Sequence, residues 1–547
     1  MSKLMVVGFD GATFDVINPL IANGRLPTIA HLLKKGAWGV LHSTVPPITP
    51  TAWTTVFTGK NPGKHGIFDF QEIDPQTYAR SPVYTDRHLE KTIWDLLGEV
   101  NIPSIITDVP YTYPPRPLNG LMLTGYGTPR TNETLFTYPD AWEIVLPSSL
   151  HDQIRLAQPT ANFDRSWAYI EEWRKVMNGR SRLLKHLITQ REWGFFFHVF
   201  SITDNLAHVF WTFLDPNHPN YYDRHAADYR QALTDAYEQC DTLLGEMLNW
   251  AGPDCNLILM SDHGFGSVYP RQYLFQRLVD GGYLSYDRGE NALSMRNHIM
   301  KLLIRTYNSF PFLREWVKNL RPNQANALKN SLKSGGLLPS NDAINYQKSQ
   351  VLPSDFGLQL WLNHQARFAS GHLTSEETAV VQTKLSQYLT TDLDQSTHQP
   401  IIKSVYQGAS QYSGDFAWLG PDLIIENQNF YNPGANRHSS NSRLEGSHTH
   451  EGIFVGYGPD IKSANLNSHM TLKDLAPTML HLLKQPIPPD MDGRVLTEAL
   501  SEPFLKQNPI QAGTIPAKRE APHAQTKLTA DEEEALKNQL RQLGYVD

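Results

Sequence analysis

Three aspartates and three histidines are spaced as a bound cation would need them. Asp10 follows the apolar run Leu4–Phe9, Asp204 follows Phe195–Thr203, and Asp262 follows Asn256–Ser261. Each run reads as a strand, and in open α/β sheets ligands sit beyond the carboxyl ends of the strands. Three carboxylates gathered there would repel one another unless protonated or neutralised by cations. A lone aspartate in such a place is often only the cap of the next helix. The histidines shift that balance. His208 stands four residues after Asp204, so on a helix the two share a face. His263 directly follows Asp262 and precedes Gly264, a residue suited to a sharp turn. His448, in Gly446-Ser447-His448-Thr449-His450, stands just before another strand-like run, Gly452–Gly456. Mixed histidine and carboxylate donors favour zinc, with manganese or iron as alternatives.

A nucleophile should stand near such a site. The segment Ser43–Gly59 reads as an extended approach followed by a short helix, with Thr49 as its N-cap and Pro50 as its first residue. A helix amino terminus offers free N–H groups and positive dipole to an anion such as phosphate. A hydroxyl at that cap, touching a metal, can be deprotonated and attack phosphorus. The plainer role for Thr49 is a cap and nothing more.

The elements that must position these groups follow from the alternation of apolar runs with helical spacing, which indicates an α/β fold with a mainly parallel central sheet covered by helices on both faces. Ser104–Thr107 adds a further strand. Thr28–Lys35, Thr92–Glu99, Ser166–Gln190 and Asp223–Trp250 have helical spacing. Residues 276–345 differ in character: between 301 and 340 seven Lys/Arg face one acid, Glu315, with aromatics interleaved. This reads as an inserted helical cap, most simply a solvated face, otherwise a steering surface for an anionic substrate or a contact for acidic membrane. A polar linker is expected at 501–529 and a helical tail at 530–547.

Composition bounds the function. The chain has 547 residues, 40% hydrophobic and 11% aromatic, enough for a sizeable core. Its net charge of −7 argues against a nucleic-acid binder. Two cysteines exclude a disulfide scaffold or a cysteine-based zinc cluster. No run approaches a membrane span, and the first residues have no export-signal pattern, so a cytoplasmic protein is expected.

Taken together, these segments resemble the alkaline phosphatase superfamily, in its branch of type I phosphodiesterase/nucleotide pyrophosphatases and phosphohydrolase/phosphomutases. The resemblance rests on Gly8-Phe9-Asp10-Gly11, on Thr49-x-x-Ala52-Trp53 with Thr58-Gly59, and on Asn61-Pro62-Gly63-Lys64-His65-Gly66-Ile67. It continues in Asp204-x3-His208, Ser261-Asp262-His263-Gly264 and Gly446-x-His448. Near the end come Leu472-Lys473-Asp474-Leu475-Ala476-Pro477-Thr478 and Pro489-Asp490-Met491-Asp492-Gly493. It spans about residues 3–500 of a catalytic domain taken as 1–500.

The resemblance implies two divalent ions, zinc or else manganese. Asp10, Asp262 and His263 would hold one, with Thr49 close by; Asp204, His208 and His448 would hold the other. Thr49 is preferred over Thr51 because it stands ten residues before Gly59. A small phosphomonoester or phosphodiester would be cleaved through a phosphothreonine. A phosphomutase with the same site is the alternative, and an inert binding protein a more distant one. Ala52 and Trp53 replace the asparagine that nucleotide pyrophosphatases carry near the nucleophile, which weakens the diesterase label. His448 is preferred to His450 on the Gly-x-His pattern. His65 is read as holding a turn, Trp53 as core or a substrate-stacking ring, and Arg130 as a loop residue or a phosphoryl clamp.

Overall fold

The computed structural model describes residues 2–84, 90–129, 137–139, 147–150, 167–216, 219–223, 225–267, 274–287, 344–427 (save 356, 392, 394–397 and 399), 446–518 and 528–542. A sheet of mainly parallel strands forms its centre. In spatial order it runs Ala464–Asn465, Ala37–His42, Glu451–Tyr457, Cys255–Met260, Lys3–Phe9, Phe195–Phe200, Ser104–Val109, Gly120–Thr124 and Thr137–Tyr138, with Met470–Thr471 also paired to Ala37–His42. Lys3–Phe9 lies between Phe195–Phe200 and Cys255–Met260, parallel to both. Glu451–Tyr457 runs antiparallel to its two neighbours, so its amino end meets the carboxyl ends of the parallel strands.

The apolar runs alternate between two cores, as strands covered on both faces must. Met5, Val7 and Phe9 face the core shared with helices Phe14–Ala22, Pro27–Lys35, Trp167–Gln190 and Ala226–Ala251. Leu4 and Val6 face the other, with helices Thr49–Thr58, Ile93–Glu99 and Leu475–Leu482. Phe195, Phe196 and Phe197 are all fully buried and divide between the two cores; each contributes on the order of 1.5–3 kcal/mol by leaving water. Packing across the sheet leaves no room at Gly8, where a Cβ would lie 2.5 Å from the Trp53 ring.

A second, antiparallel sheet joins Val351–Pro353, Gln359–Leu362, Leu423–Asn427 and Ile402–Gln407 over its own apolar cluster. Most of the segment expected as a cap at 276–345, including the basic stretch 301–340, lies outside the described residues. The stretch after residue 500 is not a plain linker at its start. Ser501 caps helix Glu502–Gln507, whose Phe504 is buried. Helix Ala530–Gln542 occupies the tail. No helix among the described residues is long and apolar enough to cross a membrane.

Candidate active site

Asp10 lies immediately beyond Lys3–Phe9, and Asp262 two residues beyond Met260, both at the carboxyl edge of the sheet. Asp204 differs from the strand-end expectation. The strand stops at Phe200 and helix Ile202–Phe210 begins two residues later, placing Asp204 in its first turn and His208 one turn on. His448 stands on strand Gly446–Thr449, which pairs with Gly264–Ser267 and sets His448 opposite Phe265. Thr49 also departs from expectation. Ala52 N–H bonds Ile48 C=O at 2.8 Å, so the first turn starts one residue earlier. Ile48, with extended backbone, is the cap, and Thr49 is the first helical residue.

Two clusters result, and within each the donor atoms lie within 4.8 Å of one another. In the first, His263 Nε2 is 3.6 Å from Asp10 Oδ1 and 3.3 Å from Asp262 Oδ2. The Thr49 hydroxyl is 3.4 Å from the same nitrogen. In the second, Asp204 Oδ1 is 3.3 Å from Nε2 of both His208 and His448. The His263 and His448 rings stack between the clusters, their centroids 3.6 Å apart. His450, the alternative ligand, belongs to neither; it lines a separate polar cavity with His42, Glu426 and His469.

Backbone carbonyls orient all three imidazoles. Nδ1 of His208 is 3.1 Å from Gly446 C=O, that of His448 is 2.9 Å from Pro47 C=O, and that of His263 is 3.0 Å from Gly264 C=O. A carbonyl only accepts, so each Nδ1 carries the proton and each Nε2 presents a lone pair to the cluster. Such carbonyl-oriented histidine is the usual setting of a metal ligand.

The carboxylates fit a cation equally well. Asp10 Oδ1, Asp204 Oδ1 and Asp262 Oδ2 are buried oxygens with no hydrogen-bond donor, although buried polar atoms are almost always satisfied. Burial, then the charges of Asp262 and Asp204, raise the Asp10 carboxyl well above its usual range. Burial foremost pushes Asp262 up to about 8. Burial also raises Asp204, but His208 and His448 outweigh it and hold that carboxyl low. His263 is held well below the usual imidazole range by burial and then by His448. Asp10 and Asp262 in a dry site therefore require protons or cations, and a dication displaces the protons.

Several supporting groups carried no spacing signal of their own. Thr203 Oγ donates to Asp10 C=O at 2.6 Å. Ser261 Oγ donates to Ala12 C=O and accepts from Ile453 N–H, both at 2.8 Å, tying the Asp10 loop to Asp262. Gly446 is crowded: a Cβ there would lie 2.2 Å from the Phe265 ring. Gly446-x-His448 was the one trace of this in the sequence.

Of the two readings of Trp53, the structure matches the core one. Its side chain is fully buried, and its indole N–H donates to Asp10 Oδ2 at 3.3 Å. Arg130 lies outside the described residues. His65 accepts Ile67 N–H at Nδ1 (3.2 Å), which leaves Nε2–H to donate to Thr55 Oγ at 3.1 Å.

A family model described as type I phosphodiesterase / nucleotide pyrophosphatase matches residues 4–450. Among solved structures, an inactive variant of murine ectonucleotide pyrophosphatase/phosphodiesterase 5 in complex with AMP aligns at a TM-score of 0.50 and 14% identity. That alignment covers 92% of this chain and 100% of that one. Alkaline phosphatase PafA gives 0.53 at 13% identity, covering 91% and 99%. Phosphonoacetate hydrolase from Sinorhizobium meliloti, in complex with phosphonoformate, gives 0.50 at 12%, covering 87% and 94%. At such identities the structural likeness is one of fold. No curated protein matches the sequence.

Proposed function

The chain belongs to the type I phosphodiesterase/nucleotide pyrophosphatase family of the alkaline phosphatase superfamily and is a hydrolase of phosphoric ester bonds; we propose that it cleaves a small phosphomonoester or phosphodiester through a covalent intermediate on Thr49. In this reading Asp10, Asp262 and His263 hold one divalent ion beside Thr49, and Asp204, His208 and His448 hold a second. Zinc suits the mixed imidazole and carboxylate donors. When bound, the two ions supply positive charge to the attacking and leaving oxygens of an in-line displacement.

The protein's own groups do the rest. Thr49 Oγ forms the new P–O bond as the ester oxygen departs, and water then cleaves the phosphothreonine to regenerate the hydroxyl. Thr49 opens a ten-residue helix, so its attack takes place at the positive end of the helix dipole. Trp53 holds Asp10 through its indole N–H, and the Gly446, Pro47 and Gly264 carbonyls keep the Nε2 lone pairs aimed inward. Residues 1–500 form the catalytic unit in this reading, with the segment 276–345 as a cap inserted within it. Cys240 and Cys255 are buried free thiols, in keeping with a reducing compartment such as the cytoplasm.

The observation that carries the proposal is the convergence of six donor groups, three of them carboxylates with an unmatched buried oxygen, next to the Thr49 hydroxyl. Thr49→Ala tests it on aryl phosphate and bis-aryl phosphodiester substrates with metal supplied. Turnover should vanish while bound metal and fold persist; undiminished turnover ends the nucleophile assignment.

A further inference from the structure

The carboxyl-terminal helix Ala530–Gln542 lies beyond the residues matched by the family model, yet its packing leads back to Thr49. Leu536 and Leu540, one turn apart on the same face, are 2% and 3% exposed, while acidic side chains fill the first turn. Leu540 belongs to a cluster with Ile48, Phe70, Tyr111 and Tyr126. Ile48 is the residue directly before Thr49, it is 1% exposed, and its carbonyl closes the first turn of the Thr49 helix. Tyr111 is also close to the centre: burial, then Asp69 and Asp10, push its phenol well above the usual range.

Polar contacts set the register of this docking. The Tyr113 hydroxyl donates to one Glu532 oxygen. The other oxygen accepts Thr529 N–H at 3.0 Å and the Thr529 hydroxyl at 3.1 Å, in a box that starts the helix. A second tie reaches the far end of the Thr49 helix. The Lys518 ammonium is bonded to Asp415 at 2.6 Å and lies 3.7 Å from Glu90. Glu90 in turn pairs with the buried Lys60, one residue past the helix-ending Gly59. The carboxyl-terminal segment therefore shares an apolar cluster with the residue before Thr49 and, through Glu90, an ion-pair network with the residue after Gly59.

We propose that this segment is a positioning element for catalysis, with Leu540, acting through Ile48, as a positioning residue that holds Thr49 in register with the two acid–imidazole clusters. The proposal rests on Thr49 being the nucleophile. A misplacement of about 1 Å can cost on the order of a hundredfold in rate, so a loosened helix should show in turnover before it shows in binding.

The test uses the full chain with zinc supplied and a bis-aryl phosphodiester as substrate. Leu540→Ala should lower kcat about tenfold or more with KM within about threefold, since an interaction with the transition state and not with the ground state is lost. Bound metal should be unchanged, and Leu540→Met, similar in volume, should restore turnover. A folded, metal-replete Leu540→Ala with kcat within about twofold of wild type overturns the proposal. Should Leu540→Ala fail to fold, Tyr113→Phe decides, because it removes only the hydroxyl that meets Glu532. A fall in kcat at constant KM supports the proposal, and unchanged kcat overturns it. Thr49→Ala is measured alongside. Activity retained there strikes the nucleophile assignment, whereas the Leu540 result strikes only the role of the helix.

Discussion

His208 and His448, 240 residues apart in the chain, face each other Nε2 to Nε2 at 3.1 Å. Each has its Nδ1 committed to a backbone carbonyl, so two lone pairs meet at hydrogen-bond distance with Asp204 beside them. A cation held between them would turn that repulsion into attraction. Removing metal should therefore cost stability as well as activity. Chelation is expected to abolish phosphoester turnover and lower Tm, with added zinc restoring both. Ligand present at a hundredfold over its Kd stabilises by about 2.7 kcal/mol, a shift easily read in a thermal melt. A Tm indifferent to chelator would contradict the arrangement.

The two candidate histidines of Gly446–Glu451 separate cleanly in space. His448 faces Asp204, and His450 lines another cavity. His448→Ala should lose one equivalent of metal and more than about a hundredfold in kcat, beyond what loss of an outer partner costs. His450→Ala should keep both metals and most activity. The reverse pattern would exchange their roles.

Trp53 is expected to act through Asp10. Trp53→Phe keeps an aromatic ring in the buried site and removes only the N–H that reaches Asp10 Oδ2. Metal affinity should fall about 10–100-fold, the range for outer partners of ligands, while substrate KM at saturating zinc stays unchanged. A change in KM alone, with metal affinity intact, would return Trp53 to a substrate role.

Acid should destabilise the protein through His65. Its imidazole is fully buried, and burial foremost holds it down to about 3 from an ordinary 6.5. Protonation would also set a second donor against Ile67 N–H, which Nδ1 accepts. The unfolded chain binds the proton below 6.5 and the folded chain does not until about 3, so unfolding free energy falls as pH drops through that window. The loss from this residue approaches about 1.4 kcal/mol per pH unit. His65→Gln should shallow the stability slope between pH 6 and 4 by about one proton, measured by denaturant titration. An unchanged slope would show that His65 titrates freely.

Much of the fold was legible because parallel strands buried on both faces leave an unmistakable mark. Runs such as Leu4–Phe9 and Asn256–Met260 lie within a residue of the observed strands. Asp204 with His208 was legible through helical spacing, even though its strand ended earlier than expected. What escaped were contributions by backbone. The carbonyls of Pro47, Gly264 and Gly446 orient histidines, and a carbonyl has no residue type to betray it. The hydrogen bond of Trp53 escaped for a related reason: an indole N–H four residues into a helix says nothing of Asp10 until the strand beneath it is placed. Lys60, Asn61 and Lys64 carry the same lesson, for their partners Asp490 and Asp492 stand some 430 residues away. Two motifs noticed separately thus prove to be halves of one contact.

Metal stoichiometry distinguishes two sites from one or none. Wild-type protein, purified with zinc and dialysed, should hold two equivalents per chain. Asp204→Asn with His208→Ala should hold one, and Asp262→Asn with His263→Ala should hold one. Wild type with less than one equivalent, or both double variants still holding two, would contradict the account.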